Sequence, residues 1–344
     1  AAAPLSSAVA ISAAVSGPTP RVTGRAPRSL SGARSQAGRR RIAGCPGRST
    51  ALPISVAAKL EYEEHTLADA SRSTDSLLAV RYYHKAEAVL KVDEAGLSPR
   101  LADEHRLIAL ADASGQACLY AADRAMPREQ IDLINVVGNS YYVDRLLPHK
   151  PMANGDTWSH DAAVMAPLLA LDSIAVCEVT SILDEYNEGF AKIRLAGIVH
   201  GMADGAATEM EIRALYLFDR KLRRVTKLNL AIHEKRAIGA ATPGLDAVAK
   251  VQMTIAPAKS NSKLTEAEIA KIAAIRQTPN REVLYEAAAL GFRLRHDRQW
   301  YVTGEQRESI LLRRVDQGDL VAQCTITSLP SKSVGRQATL EQFQ

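Results

Sequence analysis

FAKIRLAGIVHG (190–201), ATEMEIRALYLFD (207–219) and VTKLNLAIHEKR (225–236) alternate in character residue by residue. In the first, Ile193, Leu195 and Val199 interleave with Lys192, Arg194 and His200. In the second, Met210, Ile212, Ala214, Tyr216 and Phe218 interleave with Glu209, Glu211 and Arg213. In the third, Leu228, Leu230 and Ile232 interleave with Lys227, Asn229 and His233. A period of two places one set on a core face and the other toward water, which is the pattern of a half-buried strand. Short turn signals separate the runs: Asn187-Glu188-Gly189, Asp204-Gly205 and Asp219 to Lys221. Consecutive strands on short turns make an antiparallel meander.

Working outward, 174–184 (IAVCEVTSILD) and 246–256 (DAVAKVQMTIA) extend the meander. Upstream, 78–92, 105–111 and 116–121 add strands, although 78–92 also fits a helix. Helices are expected at 126–134, with Pro127 at the first helical position, and at 160–172, where Pro167 breaks the helix or starts a second turn. A third, at 264–275, opens on the capping box Thr265 to Glu268. The fold class is therefore α+β: a curved antiparallel meander with a few helices, plus a second small, incomplete α/β domain. Four segments follow: a disordered leader over 1–58, a β-rich domain over 59–257, a linker and helix over 258–281, and a partial domain over 282–344. The last reads as strands around a DQGD turn (316–319) with no covering helix after them, so the polypeptide is expected to be truncated there.

Charge separates leader from body. Residues 1–50 hold eight arginines, no lysine and no acid. The 43 basic side chains less these eight leave 35 against 38 acids, so the body is slightly acidic. With aromatics at 5%, this composition speaks against a nucleic-acid partner. Gly, Ser, Pro and Arg dominate 16–50, which predicts disorder. An acid-free, Arg-rich leader resembles an organelle transit peptide, and Ser55 to Ala58 (SVAA) resembles an export cleavage site. No run of about 18 apolar residues follows, so no membrane span is expected. The four cysteines form no CxxC pair, and Cys118, Cys177 and Cys324, in apolar runs, read as buried thiols. One bridge remains compatible with export.

No metal or cofactor is expected. None of the eight histidines has an i, i+4 or HxH partner, and no P-loop, GxGxxG or GxSxG occurs. Ser140 (in GNSYY) and Ser159 (in TWSHD) lack a nucleophile elbow. His200 and His233 share a polar strand face with Glu209 and Glu211, a weak polar cluster that reads foremost as a solvated surface. The loop LPHKPMANGDTW (147–158) is the most distinctive local feature. Pro148 and Pro151 stiffen it, Gly155 and Asp156 turn it, and Trp158 ends it. Trp158 reads as a cap on the open end of a sheet core. The alternative makes these five residues the rim of a ligand pocket.

The pattern Leu146-Leu147-Pro148, Lys150-Pro151, Gly155-Asp156-x-Trp158, then a helix and a meander, resembles β-rich envelope proteins of planctomycete-type bacteria over roughly 75–256. Such domains resemble the lipoprotein-carrier (LolA-like) half-barrel, a curved sheet with helices in its concave face. The segment 285–344, with Phe292, Trp300, Leu340 and Phe343, resembles the start of a PsbP/Mog1-like α/β/α domain. The resemblance implies a non-enzymatic, exported binding or scaffold protein of the cell envelope, holding an apolar small molecule or an envelope protein chain. A ligand-holding version requires a cavity on the concave face. The rival reading is a hydrolase or metal-dependent enzyme using His160 and Asp161 or the His200/His233 group, and a third is a structural repeat module.

Overall fold

The computed structural model describes residues 6–15, 21–23, 51–67, 77–113, 116–258, 262–274, 282–288, 290–316 and 318–328. The first half contains β1 (Ser6–Val15), β2 (Arg21–Thr23), β3 (Ala51–Thr66), β4 (Leu77–Val92), β5 (Ala95–Leu97), β6 (Leu107–Ala113), β7 (Gln116–Ala121) and β8 (Met126–Pro127). Three short helices follow, α1 (Arg128–Ile134), α2 (Ser140–Val143) and, after β9 (Thr157–Ser159), α3 (Ala162–Leu169). The meander is β10 (Ser173–Tyr186), β11 (Phe190–Ala203), β12 (Ala206–Asp219), β13 (Arg224–Arg236) and β14 (Gly244–Pro257). Then come α4 (Glu266–Ala274), β15 (Glu282–Ala287), β16 (Phe292–Asp297), β17 (Trp300–Glu305), β18 (Ser309–Asp316) and β19 (Asp319–Thr327).

The main sheet runs β7-β6-β4-β3-β1-β14-β13-β12-β11-β10-β9, with β2 against β14 and β3 and β5 against β4. Every pairing in it is antiparallel, and it curls into a half-barrel. The chain leaves β1 toward one edge, crosses the opening as α1–α3, and returns from the other edge to lie beside β1. The α+β class stands, with the curved sheet and two smaller three-stranded sheets.

Alternation builds the core. Ile193, Tyr216, Leu228, Met253, Ile11, Leu60 and Ala86 are successive cross-strand partners, one inward row over seven strands. All are buried. Burying each large member contributes about 1.5–3 kcal/mol. Against this inner face pack Ile131, Leu133 and Ile134 of α1, Tyr142 and Val143 of α2, and Met165, Leu168 and Leu169 of α3. On the outer face, Leu264, just before α4, and Ile272 of α4 pack against Val80, Ala109, Ala111 and Tyr120.

Several expectations change. Ser6–Val15 and 51–58 are strands and not a disordered leader; Val9 and Ile11, two apart, face the core at 2% exposure each. Ser55 to Ala58 lies inside β3. Most of the Arg-rich stretch, 24–50, lies outside the described residues, as do Leu340 and Phe343. The 78–92 run is a strand. α3 runs through Pro167, which removes one amide-to-carbonyl bond from the helix. Pro127 caps α1 in place of starting it. Cys324 is exposed and not buried, because β19 is the last strand of its sheet and few residues cover it.

The C-terminal segment is tied to the half-barrel. β15 pairs in parallel with β8, Val283 opposite Met126. Hairpin turns also interlock: a Cβ on Gly205 would meet Val315 Cγ1 at 2.4 Å, and one on Gly318 would meet Met202 Cε at 2.5 Å. Asp316 pairs with Asp319 at the β18–β19 hairpin, at the anticipated DQGD turn.

Candidate functional site

The inner face carries a charged cluster, on β3, β4 and the start of α2. Glu64 and Arg81 are cross-strand partners, 1% and 2% exposed. Arg81 Nε donates to Glu64 Oε2 at 2.7 Å, and Arg81 Nη2 donates to Asn139 Oδ1 at 2.5 Å and Ser140 Oγ at 3.1 Å. Ser140 Oγ donates to Glu64 Oε2 at 2.8 Å and lies 2.8 Å from Tyr62 Oη. The guanidinium stacks 4.8 Å over the Tyr62 ring, and Tyr83 packs on Tyr62 with centroids 4.8 Å apart.

Local sequence explains how the parts arrive. Asn139 caps α2, accepting from Tyr141 N, so its amide oxygen is held at the helix start, above the sheet. Gly138 takes φ +87° and donates to Leu168 O, tying this turn to α3. Burial disfavours the charged guanidinium, but Tyr62 and Glu64 outweigh it and Arg81 stays protonated. Burial raises the Tyr62 and Tyr83 hydroxyls above their ordinary range. The cluster thus joins sheet to helical cover through charge-assisted bonds. Beside it lies a cavity of about 10 Å³, room for one water, between Leu60, Tyr62, Arg81 and Tyr83 below and Ile134 and Asn139 above.

That cavity is too small for an apolar ligand: α1–α3 fill the concave face here, where a ligand-holding half-barrel was expected to be open. The five loop residues do not line it. Instead the 147–158 loop seals the edge of β10. Gly155 N donates to Leu183 O, Leu183 N to Asp156 O, and Thr157–Ser159 pairs with β10. Pro151, Gly155 and Asp156 are exposed, while Pro148 and Trp158 are half-buried. Trp158 Nε1 donates to Leu146 O at 2.9 Å, and its ring packs on the core, as the cap reading anticipates.

His200 and Glu209 are cross-strand partners, as are Glu211 and His233. They line the outer face, with His200, Glu209 and Glu211 exposed and His233 half-buried. Glu211 bonds Arg213 and His233 bonds Asp246. Among the described residues no group of three or more His, Cys, Asp or Glu is placed to hold a metal. His160 bonds Ser181 at 2.7 Å, but Ser181 is 1% exposed and Asp161 is turned to cap α3, so the pair has no substrate access.

Sequence reasoning missed Arg81, Glu64 and Asn139. The available signal was parity: Glu64 follows inward Leu60 and Tyr62 at even spacing. No described helix is long and apolar enough to cross a membrane. In comparison with known proteins, no family model and no curated protein matches the chain.

Proposed function

We propose that this chain is a non-enzymatic binding or scaffold protein of the cell envelope; because the helices fill the concave face, an apolar molecule or an apolar partner chain would be taken up there only in place of the helical cover. The observation that carries it is the uninterrupted apolar row over seven strands beneath three separate short helices. Helices of this length are marginal alone and owe their stability to what they cover. Lifting them exposes a continuous apolar surface, which a ligand would re-cover. The Arg81 cluster is the polar tie between the two layers. The resemblance to lipoprotein-carrier half-barrels points the same way, to an exported protein.

The test is native mass spectrometry of the protein purified from its own host, with titration by a fluorescent fatty acid. The expected result is a co-purifying apolar mass, and saturable probe uptake that speeds amide exchange in α1–α3 while β11–β14 stay protected. A clean apo mass together with no saturable uptake overturns the reading.

A further inference from the structure

The hairpin between β12 and β13 turns through Arg220-Lys221-Leu222-Arg223-Arg224. Asp219 Oδ1 accepts the N–H groups of Lys221 and Leu222, both at 2.9 Å, so the tip is a built turn. Leu222 stands at its apex, 40% exposed. Arg223 holds φ +55°, a left-handed conformation unusual for a non-glycine residue. The tip is braced on both sides. Arg220 donates from its backbone to Gly189 O and from Nη1 to Asn187 O, and Arg224 bridges Asp144 at 3.5 Å. Those braces bring in exposed Tyr186 on one flank and exposed Arg145 on the other. Among the described residues, Arg145, Arg220, Lys221 and Arg223 form no ion pair. The exposed acids nearby are Glu185 and Glu188, on the Tyr186 turn.

We propose that this tip docks on an anionic lipid surface, its cations on the headgroups and Leu222 in the acyl boundary. Lys221 and Arg223, without an ion pair and flanking an exposed leucine, match that surface on both counts, charge and apolarity. A nucleic-acid backbone would use the cations but leave Leu222 and Tyr186 unsatisfied, and the tip is too compact to track phosphates. The inference stands independently of what the half-barrel holds.

Co-sedimentation of the full chain with vesicles tests it. One vesicle set is phosphatidylcholine alone; the other contains about a third phosphatidylserine. Expected is binding to the anionic set only, released by salt near ~0.5 M. Lys221→Gln with Arg223→Asn removes two cations, and asparagine tolerates the left-handed φ, so the hairpin survives; partitioning falls roughly thirtyfold. Leu222→Ser lowers it by about tenfold. Arg213→Gln, on the outer sheet face, changes nothing. Equal binding to both vesicle sets overturns the proposal. So does anionic binding that neither tip change weakens, which would assign it to the Arg-rich 1–50 stretch. Tip-dependent binding to duplex DNA without vesicle binding overturns it as well.

Discussion

Arg81 Nε lies 2.7 Å from Glu64 Oε2 with both side chains closed off from water, on the face where every neighbouring strand presents aliphatic or aromatic groups. A buried pair of this kind is weak evidence for stability, because desolvation offsets the attraction. It does fix geometry: the guanidinium reaches Asn139 and Ser140 only if α2 sits in one place.

Arg81→Met leaves Glu64 buried without its cation and should destabilise the protein by about 3–5 kcal/mol. Arg81→Met combined with Glu64→Leu should recover most of that, since Asn139 keeps Tyr141 N and Ser140 keeps Tyr62. Urea unfolding of both variants measures the difference. A double variant no more stable than the single would show the pair itself to be stabilising.

Gly197 faces Val179 across β10–β11, and a Cβ there would fall 2.1 Å from Glu178 O and 2.6 Å from Val179 Cα. Backbone on both strands would have to part, so Gly197→Ala should lose at least about 3 kcal/mol, the upper range of point changes. Gly155→Ala is the contrast. Its Cβ would meet nothing within 4 Å, and only the φ of +86° opposes it, about 1–2 kcal/mol. Thermal melts that rank the two alike would refute the close-approach account.

Much of the fold could be read from alternation, because inward and outward sets in 190–236 differ strongly in polarity. β1 was hidden: its inward Val9 and Ile11 are diluted by alanine and serine, and the adjacent Arg-rich stretch suggests disorder. In β4 the bulge opposite Glu61/Tyr62 shifts the phase midway, so the strand lacks a single period. The candidate site was harder still. Glu64 and Arg81 look like surface charges until the pairing of two strands sets both inward, and Asn139, far along the chain, shows its role only when α2 lands above them. The proline loop stood out in composition for a local reason, the sealing of the β10 edge.

Glu63, one residue from Glu64 and on the opposite face, holds α4. Its Oε2 accepts from Ser262 Oγ, Lys263 N at 2.8 Å and Leu264 N at 3.4 Å, and His84 meets Oε1 at 2.8 Å. Burial pushes this carboxyl up, but those bonds prevail and hold it below the usual range. A depressed carboxylate stabilises above its unfolded pKa and stops doing so as pH falls through the folded value. Acid should therefore release α4, beginning once pH drops below about 4.3. Glu63→Gln should loosen it at neutral pH by about 1.5–3 kcal/mol. Faster amide exchange confined to 264–274 is the expected readout; unchanged protection there refutes the assignment.

His160 also weakens the fold on acidification, in a higher pH window. A hydrogen-bond chain runs from its Nε2 through Ser181 Oγ at 2.7 Å and Tyr216 Oη at 3.0 Å to the carbonyl of Leu146 at 3.2 Å. A carbonyl only accepts, so Tyr216 donates to it, Ser181 donates to Tyr216, and Nε2–H donates to Ser181. Burial lowers the imidazole from 6.5 to about 4, only partly opposed by Asp161, which leaves it neutral at pH 7. The unfolded chain takes up the proton first, so this residue adds nothing above pH 6.5 and destabilises progressively between 6.5 and about 4. The full effect is about 3 kcal/mol. His160→Gln keeps a donor for Ser181 without titrating. The stability difference between the two proteins should therefore shift in favour of the variant across that window, and a difference flat in pH would refute it.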